Sequence, residues 1–158
     1  MRTHTVVDSP VGPLVLVDED GALVSLWMTD QKHANPEHGP RDDSVQPALR
    51  EQLDAYFRRD LKEFDVRLAM KGTPFQQSVW AALRRIPYGT TWSYGQLATE
   101  LGNPGASRAV GLANGRNPVG IVVPCHRVVG SNGKLVGYGG GVERKRFLLD
   151  LEAGTSLF

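Results

Sequence analysis

Residues 73–115, TPFQQSVWAALRRIPYGTTWSYGQLATELGNPGASRAVGLANG, decide the fold class. Thr73-Pro74-Phe75-Gln76 is a capping box with proline at the first helical position. Phe75, Val79, Trp80, Leu83 and Ile86 follow at helical spacing, a stripe that reads as core packing with no functional aromatic. Pro87-Tyr88-Gly89 stops this helix. Ser93-Tyr94-Gly95-Gln96 is a second capping box, and its helix runs to Leu101 before Gly102 ends it. Asn103 then caps a third helix with Pro104 at its first position, carrying Ser107-Arg108-Ala109-Val110 to about Asn114-Gly115. Helix, short glycine-containing turn, helix is the helix-turn-helix layout. Helical hairpins without any DNA contact share it.

Working outward, residues 119–123 form a continuous apolar run, consistent with a buried strand or extended segment. It delivers Pro124-Cys125-His126-Arg127. Val128-Val129 and Leu135-Val136 flank Ser131-Asn132-Gly133-Lys134, whose Asn-Gly pair signals a hairpin. A backbone-rich loop, Gly137-Tyr138-Gly139-Gly140-Gly141, leads into a closing helix over 142–152 with Phe147, Leu148 and Leu151 inward. Upstream, residues 5–8, 14–18 and 22–28 read as short strands, and Gly12-Pro13 and Asp20-Gly21 punctuate them as an antiparallel meander. Residues 29–46, with His33, Asn35-Pro36, His38 and Gly39-Pro40, read as an exposed loop whose histidines are solvated. Pro47 opens a helix with Leu49, Leu53, Tyr56 and Phe57 on one face. Phe64, Val66 and Leu68 alternate as one more strand.

At 158 residues the chain is one ordinary domain or two small ones tightly joined, and it buries roughly 70% of its unfolded surface. Its single cysteine, Cys125, excludes an intramolecular disulfide and argues against a cysteine-based zinc site. With no apolar run long enough to span a bilayer and no basic-then-apolar leader, the expectation is a soluble cytoplasmic protein with no membrane partner. The net charge of +1 hides an asymmetry. Residues 1–72 hold nine basic and thirteen acidic side chains, whereas 73–158 hold nine and four, a net of −4 against +5. The basic half suits a polyanionic partner. Composition and pattern both change at Lys71-Gly72, which predicts a boundary there.

A lone cysteine is by default a small buried hydrophobe. Three features point elsewhere: Pro124 forces extended geometry before the turn, His126 and Arg127 follow at once, and the surrounding half is basic. All three favour thiolate, the nucleophilic form. A histidine acting on a thiol needs an orienting partner. Within the same half only Glu100, Glu143, Asp150 and Glu152 are available, and residue logic leaves all four open.

Asn117-Pro118, then Pro124-Cys125-His126-Arg127-Val128, then residues 137–141, together resemble the O6-alkylguanine-DNA alkyltransferases. Phe75-Gln76 through Trp80, Ser93-Tyr94-Gly95-Gln96-Leu97-Ala98 and Ser107-Arg108-Ala109-Val110-Gly111 extend the likeness over nearly all of 73–158. The resemblance implies an α+β fold: an amino-terminal, ribonuclease-H-like domain (1–72) with an antiparallel sheet and a helix. This packs on a mainly helical domain (73–158) with the helix-turn-helix and the active-site cysteine. It implies direct-reversal DNA repair in which Cys125 takes the alkyl group from O6 of a flipped guanine, less well from O4 of alkylthymine, irreversibly and once. His126 would relay the thiol proton through a water, Glu152 would orient it, and Asn117 would fix the active-site turn. Tyr94 would reach N3 of the base and crowd the backbone, and Arg108 would fill the gap in the stack. Ser93, Ala109, Gly111 and Asn114 complete the implied DNA contacts, with the second helix in the minor groove. Tyr94, Asn114, Val128, Tyr138 and Gly139 would line the base pocket. No cofactor and no metal are implied. The partner is double-stranded DNA bound by a monomer, with cooperativity on DNA left open.

Extrusion makes physical sense, because the alkylated atom is inaccessible inside the duplex and a stack-filling side chain lowers the cost. Phosphate-dominated contacts give little sequence preference, which a lesion scanner needs. Three rivals are a lesion sensor that does not repair, a helix-turn-helix regulator with a redox cysteine, and a Cys-His hydrolase. A sensor would lack the reactive cysteine, a regulator would prefer one DNA sequence, and a hydrolase would turn over many times.

Overall fold

The computed structural model describes residues 1–29, 31, 37–135 and 137–154. Strands β1 (Arg2–Val7), β2 (Leu14–Glu19) and β3 (Ala22–Met28) form the expected antiparallel meander in the order β1-β2-β3. Asp20 and Gly21 both take positive φ, 54° and 88°. That is the backbone of a primed two-residue turn, whose twist matches the strands it joins. Helix α1 (Pro47–Phe57) buries Leu49, Leu53 and Tyr56. Then come α2 (Pro74–Leu83), β4 (Trp92–Ser93), α3 (Tyr94–Glu100), α4 (Ser107–Gly115), a single 3-10 turn at Cys125–Arg127, β5 (Val128–Val129) and α5 (Val142–Ala153).

Both capping boxes are present. Thr73 Oγ1 accepts from the Gln76 amide at 3.1 Å while Gln76 Oε1 accepts from the Thr73 amide at 3.0 Å. Ser93 and Gln96 repeat the exchange at 3.0 and 2.7 Å. Each box satisfies two helix-end donors that would otherwise be orphaned. Trp80 Nε1 donates to the Ala113 carbonyl at 2.9 Å and pins α2 onto α4. One hydrophobic cluster runs from Leu14, Leu16, Leu23 and Leu26 of the sheet through Trp80, Leu83, Val110 and Val123 to Leu148. The two halves therefore share a core, with each large buried side chain contributing roughly 1.5–3 kcal/mol.

Several expectations fail for local reasons. Phe64, Val66 and Leu68 do not build a strand. They pack partly buried against the core, but only one bridge forms, Leu68 with Leu23, closed by bonds from Leu23 to Arg67 and from Ala69 to Leu23. Helix α2 ends at Leu83, a turn before Pro87, because Arg85 and Ile86 close onto Ala82 and Leu83. Phe75, assigned to the core stripe, is instead exposed on the first turn of α2. Asn103-Pro104-Gly105 is a turn rather than a helix start. The Ala106 amide bonds back to Asn103, and α4 begins at Ser107 with no side-chain cap.

The turn at Asn132-Gly133 forms, yet β5 pairs parallel with β4 rather than across that turn; Val136, the far flank of the expected hairpin, lies outside the described residues. So do His33 and Asn35-Pro36 of the expected loop. The described part of that loop, including His38, is mostly exposed. Among the described residues no helix is long and apolar enough to cross a membrane.

Candidate active site

The apolar run at 119–123 is a compact turn, not a strand. Val119 meets β3 through one bridge to Leu26, the Val122 amide bonds to Gly120, and the Val123 amide returns to Val119. Ile121 sits at φ 69°, left-handed backbone that a β-branched residue adopts at a cost of roughly 1–3 kcal/mol. The Asn117 side chain holds this turn from inside: its Oδ1 accepts from the Val119 amide at 3.0 Å, and its Nδ2 donates to the Val123 carbonyl at 2.8 Å. The strained turn ends at Pro124 and aims Cys125 into the 3-10 turn.

Cys125 is buried. Burial pushes its thiol up, while the Asn117 amide and the Lys145 ammonium pull it down without reversing the shift. The resting side chain is therefore a thiol, contrary to the thiolate expected from sequence, because desolvation outweighs the basic surroundings.

His126 is fully buried, and its Nε2 lies 2.7 Å from Glu152 Oε2. Arg127 donates from Nε to Glu152 Oε1 at 2.7 Å, from Nη2 to Oε2 at 3.1 Å, and from Nη1 to the Ile86 carbonyl at 2.7 Å. Its guanidinium also lies 5.7 Å from the Tyr88 ring. Burial acts to raise the Glu152 carboxyl, but the hydrogen bonds and charges of His126 and Arg127 more than offset it and hold it down at about 2. Burial lowers His126, with Glu152 opposing and Arg127 and Lys145 adding to the depression. An ionised carboxylate only accepts, so a neutral His126 must place its proton on Nε2, leaving a bare lone pair on Nδ1. That Nδ1 is buried with no hydrogen-bond partner among the described residues.

Of the four acids left open by sequence, Glu152 is the one that reaches His126. Glu100 pairs with Arg85 at 3.8 Å and Glu143 is exposed. Three participants were not anticipated. Arg127 makes the paired contact with Glu152. Tyr56 of α1 donates to Glu152 Oε2 at 2.6 Å from 96 residues away. Lys145 of α5 is fully buried; burial lowers its ammonium to about 8, opposed by the Cys125 charge. A lysine on the inward face of an otherwise charged helix was the available signal for the last, whereas Tyr56 reads from sequence as ordinary core.

Tyr94 and Tyr138 both lie close enough to Cys125 to feel its charge. Burial and then the Cys125 charge raise both phenols, Tyr138 well above its ordinary value, and an Asn114 hydrogen bond partly opposes the rise at Tyr94. Tyr94 packs beside Gly111, where a Cβ would come 3.6 Å from its ring. A cleft of about 760 Å³ opens between α4 and the 137–139 loop, lined by Phe75, Ala109, Gly111, Leu112, Tyr138 and Gly139 among others. Gly140 lets this loop lie on the sheet: a Cβ there would meet Met28 Sδ at 2.4 Å.

Arg108 and Ala109 are exposed on α4, and Ser93 caps α3 beside them in the helical pair. Asn114, expected both at the DNA and in the base pocket, is buried and hydrogen-bonded to Tyr94, with its Oδ1 unpartnered among the described residues. Val128 is fully buried in β5. Among the described residues no cluster of three metal-ligating side chains occurs.

Residues 3–70 match the family model described as 6-O-methylguanine DNA methyltransferase, ribonuclease-like domain, and residues 74–154 match its DNA binding domain. A methylated-DNA–protein-cysteine methyltransferase of Mycobacterium tuberculosis is 53% identical over 153 residues, covering 96% of this chain and 93% of the relative. A protein of the same name from Methanosarcina acetivorans is 50% identical over 151 residues, covering 94% and 97%. Among solved structures, Mycobacterium tuberculosis OGT in complex with DNA superposes with a TM-score of 0.93 at 51% identity, over 96% of this chain and 93% of that one.

Proposed function

The chain belongs to the 6-O-methylguanine DNA methyltransferase family, and on that footing we propose the following course for its direct-reversal repair of DNA. The protein binds duplex DNA through the minor groove with α3 and α4, and Arg108 takes the place of the extruded base in the stack. The O6-alkylguanine enters between Tyr94, Val128, Tyr138 and Gly139. There the Tyr94 phenol, kept protonated by burial, donates to N3.

The thiol proton passes through a bridging water to His126 Nδ1, while Glu152 holds Nε2–H and stabilises the imidazolium that forms. The sulfur attacks the alkyl carbon in line; the S–C bond forms as the C–O6 bond breaks, and the electron pair departs with guanine. Negative charge delocalised over the leaving purine is offset by the Tyr94 donor; water then protonates N1 and the imidazolium gives the thiol proton back to solvent, leaving neutral guanine and neutral His126. The product thioether has no route back, so each molecule acts once.

The observation that carries this reading is the orientation of His126. Its proton is committed to an ionised carboxylate, and the opposite lone pair is left bare in the turn that carries the sole thiol. A resting thiol suits single use, since a buried neutral sulfur resists adventitious oxidation and alkylation until DNA binding changes its surroundings. The protein would act as a monomer at the chromosome, inside the cell. Neither a silent sensor nor a sequence-specific regulator needs the His126–Glu152 pairing. The test is peptide mapping after incubation with duplex carrying one O6-methylguanine. The peptide containing Cys125 should gain one methyl, and Cys125→Ser should gain none. Methyl on another residue, or on nothing, refutes it.

A further inference from the structure

We infer that Tyr56, on the amino-terminal helix α1, is a positioning residue for alkyl transfer: its phenol fixes the Glu152 oxygen that orients His126. The inference rests on the proposed function and deepens it. The Tyr56 hydroxyl donates to Glu152 Oε2 at 2.6 Å, and this same oxygen faces His126 Nε2 at 2.7 Å. Among the described residues the other donors seen at that carboxylate, His126 and Arg127, come from the 3-10 turn, whereas Tyr56 comes from residues 1–72. Its ring has no freedom to leave. Tyr56 is fully buried and packs against Phe57 at 5.2 Å, Phe64 at 5.2 Å and Tyr88 at 6.4 Å between centroids. Burial and the adjacent Glu152 charge push the phenol well above its ordinary value, so it remains a donor throughout the working pH range.

The charged and titratable groups around this relay are Arg127 on the carboxylate, Lys145 acting on His126, Cys125, and Tyr88, Arg59 and Tyr138 at the margins. Deleting any of the cations changes the local charge. Deleting the Tyr56 hydroxyl removes one neutral donor and leaves every charge in place, which makes it a clean probe of coupling. Oε2 faces three donors: Tyr56, His126 and Arg127. Without the phenol it becomes a stronger acceptor for His126 Nε2–H and stabilises the imidazolium. Nδ1 then stays protonated to higher pH and cannot take the thiol proton in acid. The amino-terminal domain thus sets how basic the catalytic histidine is, in addition to sharing the core.

The test is the pH profile of single-turnover methyl transfer for the wild-type protein and Tyr56→Phe, read by quenched-flow. The acid limb of Tyr56→Phe should move up by roughly half to one pH unit. On that limb the rate at a given pH should fall about threefold to tenfold, with little change on the alkaline side. A uniform loss at every pH, or no change, overturns the positioning role. If Tyr56→Phe does not fold, site-specific 3,5-difluorotyrosine at position 56 strengthens the donor without altering its shape. It should move the acid limb down, and an unmoved limb likewise overturns the inference. If the wild-type protein itself transfers no methyl, the proposed function has failed rather than this refinement of it.

Discussion

Replacing Glu152 by glutamine removes, among the described residues, the only anion from a buried cluster that contains a permanent cation. Arg127 is 7% exposed and directs two nitrogens at Glu152. The amide keeps the volume and one acceptor oxygen but leaves the guanidinium without a counterion. Breaking a buried pair from one side costs about 3–5 kcal/mol, a large share of a typical 5–15 kcal/mol total. The carboxyl provides a second, independent magnitude. It falls from its ordinary 4.5 to about 2 in the folded protein, which corresponds to about 3 kcal/mol of linked stability.

The direction follows from the depressed value. The stability is present above pH 4.5, where the unfolded carboxyl is ionised, and is lost as pH falls toward 2. Urea denaturation at pH 7 should show Glu152→Gln less stable by about 3 kcal/mol, with a melting temperature lower by roughly 6–12 °C. Between pH 5 and pH 2.5 the wild-type protein should lose stability more steeply than the variant, so the two curves converge. Methyl transfer should slow in the variant under conditions where both remain folded, with duplex affinity nearly unchanged. Parallel curves across that window, or a variant as stable as wild type at pH 7, would refute the reasoning that Glu152 is ionised and paired.

Lys145→Met should abolish the gain in stability that the wild-type protein shows as pH rises from 8 toward 10.5, because burial lowers the folded ammonium to about 8 and disfavours the charged lysine below that value; identical pH profiles in urea for the two proteins contradict this. Gly140→Ala should slow transfer and lower stability by about 1–3 kcal/mol through overpacking against Met28, measured by urea denaturation and single-turnover rate. Arg108→Ala should reduce the repair rate on duplex more than on single-stranded oligonucleotide, since an unstacked base leaves no vacancy to fill. Duplex affinity should also fall steeply with salt, and equal loss of rate on both substrates would make Arg108 a general anchor.

Most of the local architecture was legible because it is written in short-range chemistry. The two capping boxes, the Asp20-Gly21 turn and the meander each depend on neighbours a few residues apart. The failures occur where long-range contacts override a local pattern. Residues 119–123 are as apolar as a strand, but the Asn117 side chain and the bonds to Leu26 fold them into a turn, with Ile121 in left-handed backbone. Phe64, Val66 and Leu68 alternate like a strand and find one bridge instead of a ladder. At the site, residue logic reached Cys125, His126 and a choice of four acids, and the family resemblance singled out Glu152. Tyr56 was illegible because a buried tyrosine on an amphipathic helix looks like core, and only the fold reveals what its hydroxyl meets. The thiol's resting protonation was misjudged because sequence lists charges and does not show desolvation.

The most direct test of the account is intact mass spectrometry of the full-length protein titrated with duplex DNA containing O6-methylguanine. One methyl group should appear per protein molecule, repair should plateau when lesion and protein are equimolar, and the methylated protein should repair nothing further when fresh lesion is added. Lesions repaired in excess of protein, with the protein mass unchanged, would contradict irreversible transfer to Cys125 and with it the central claim.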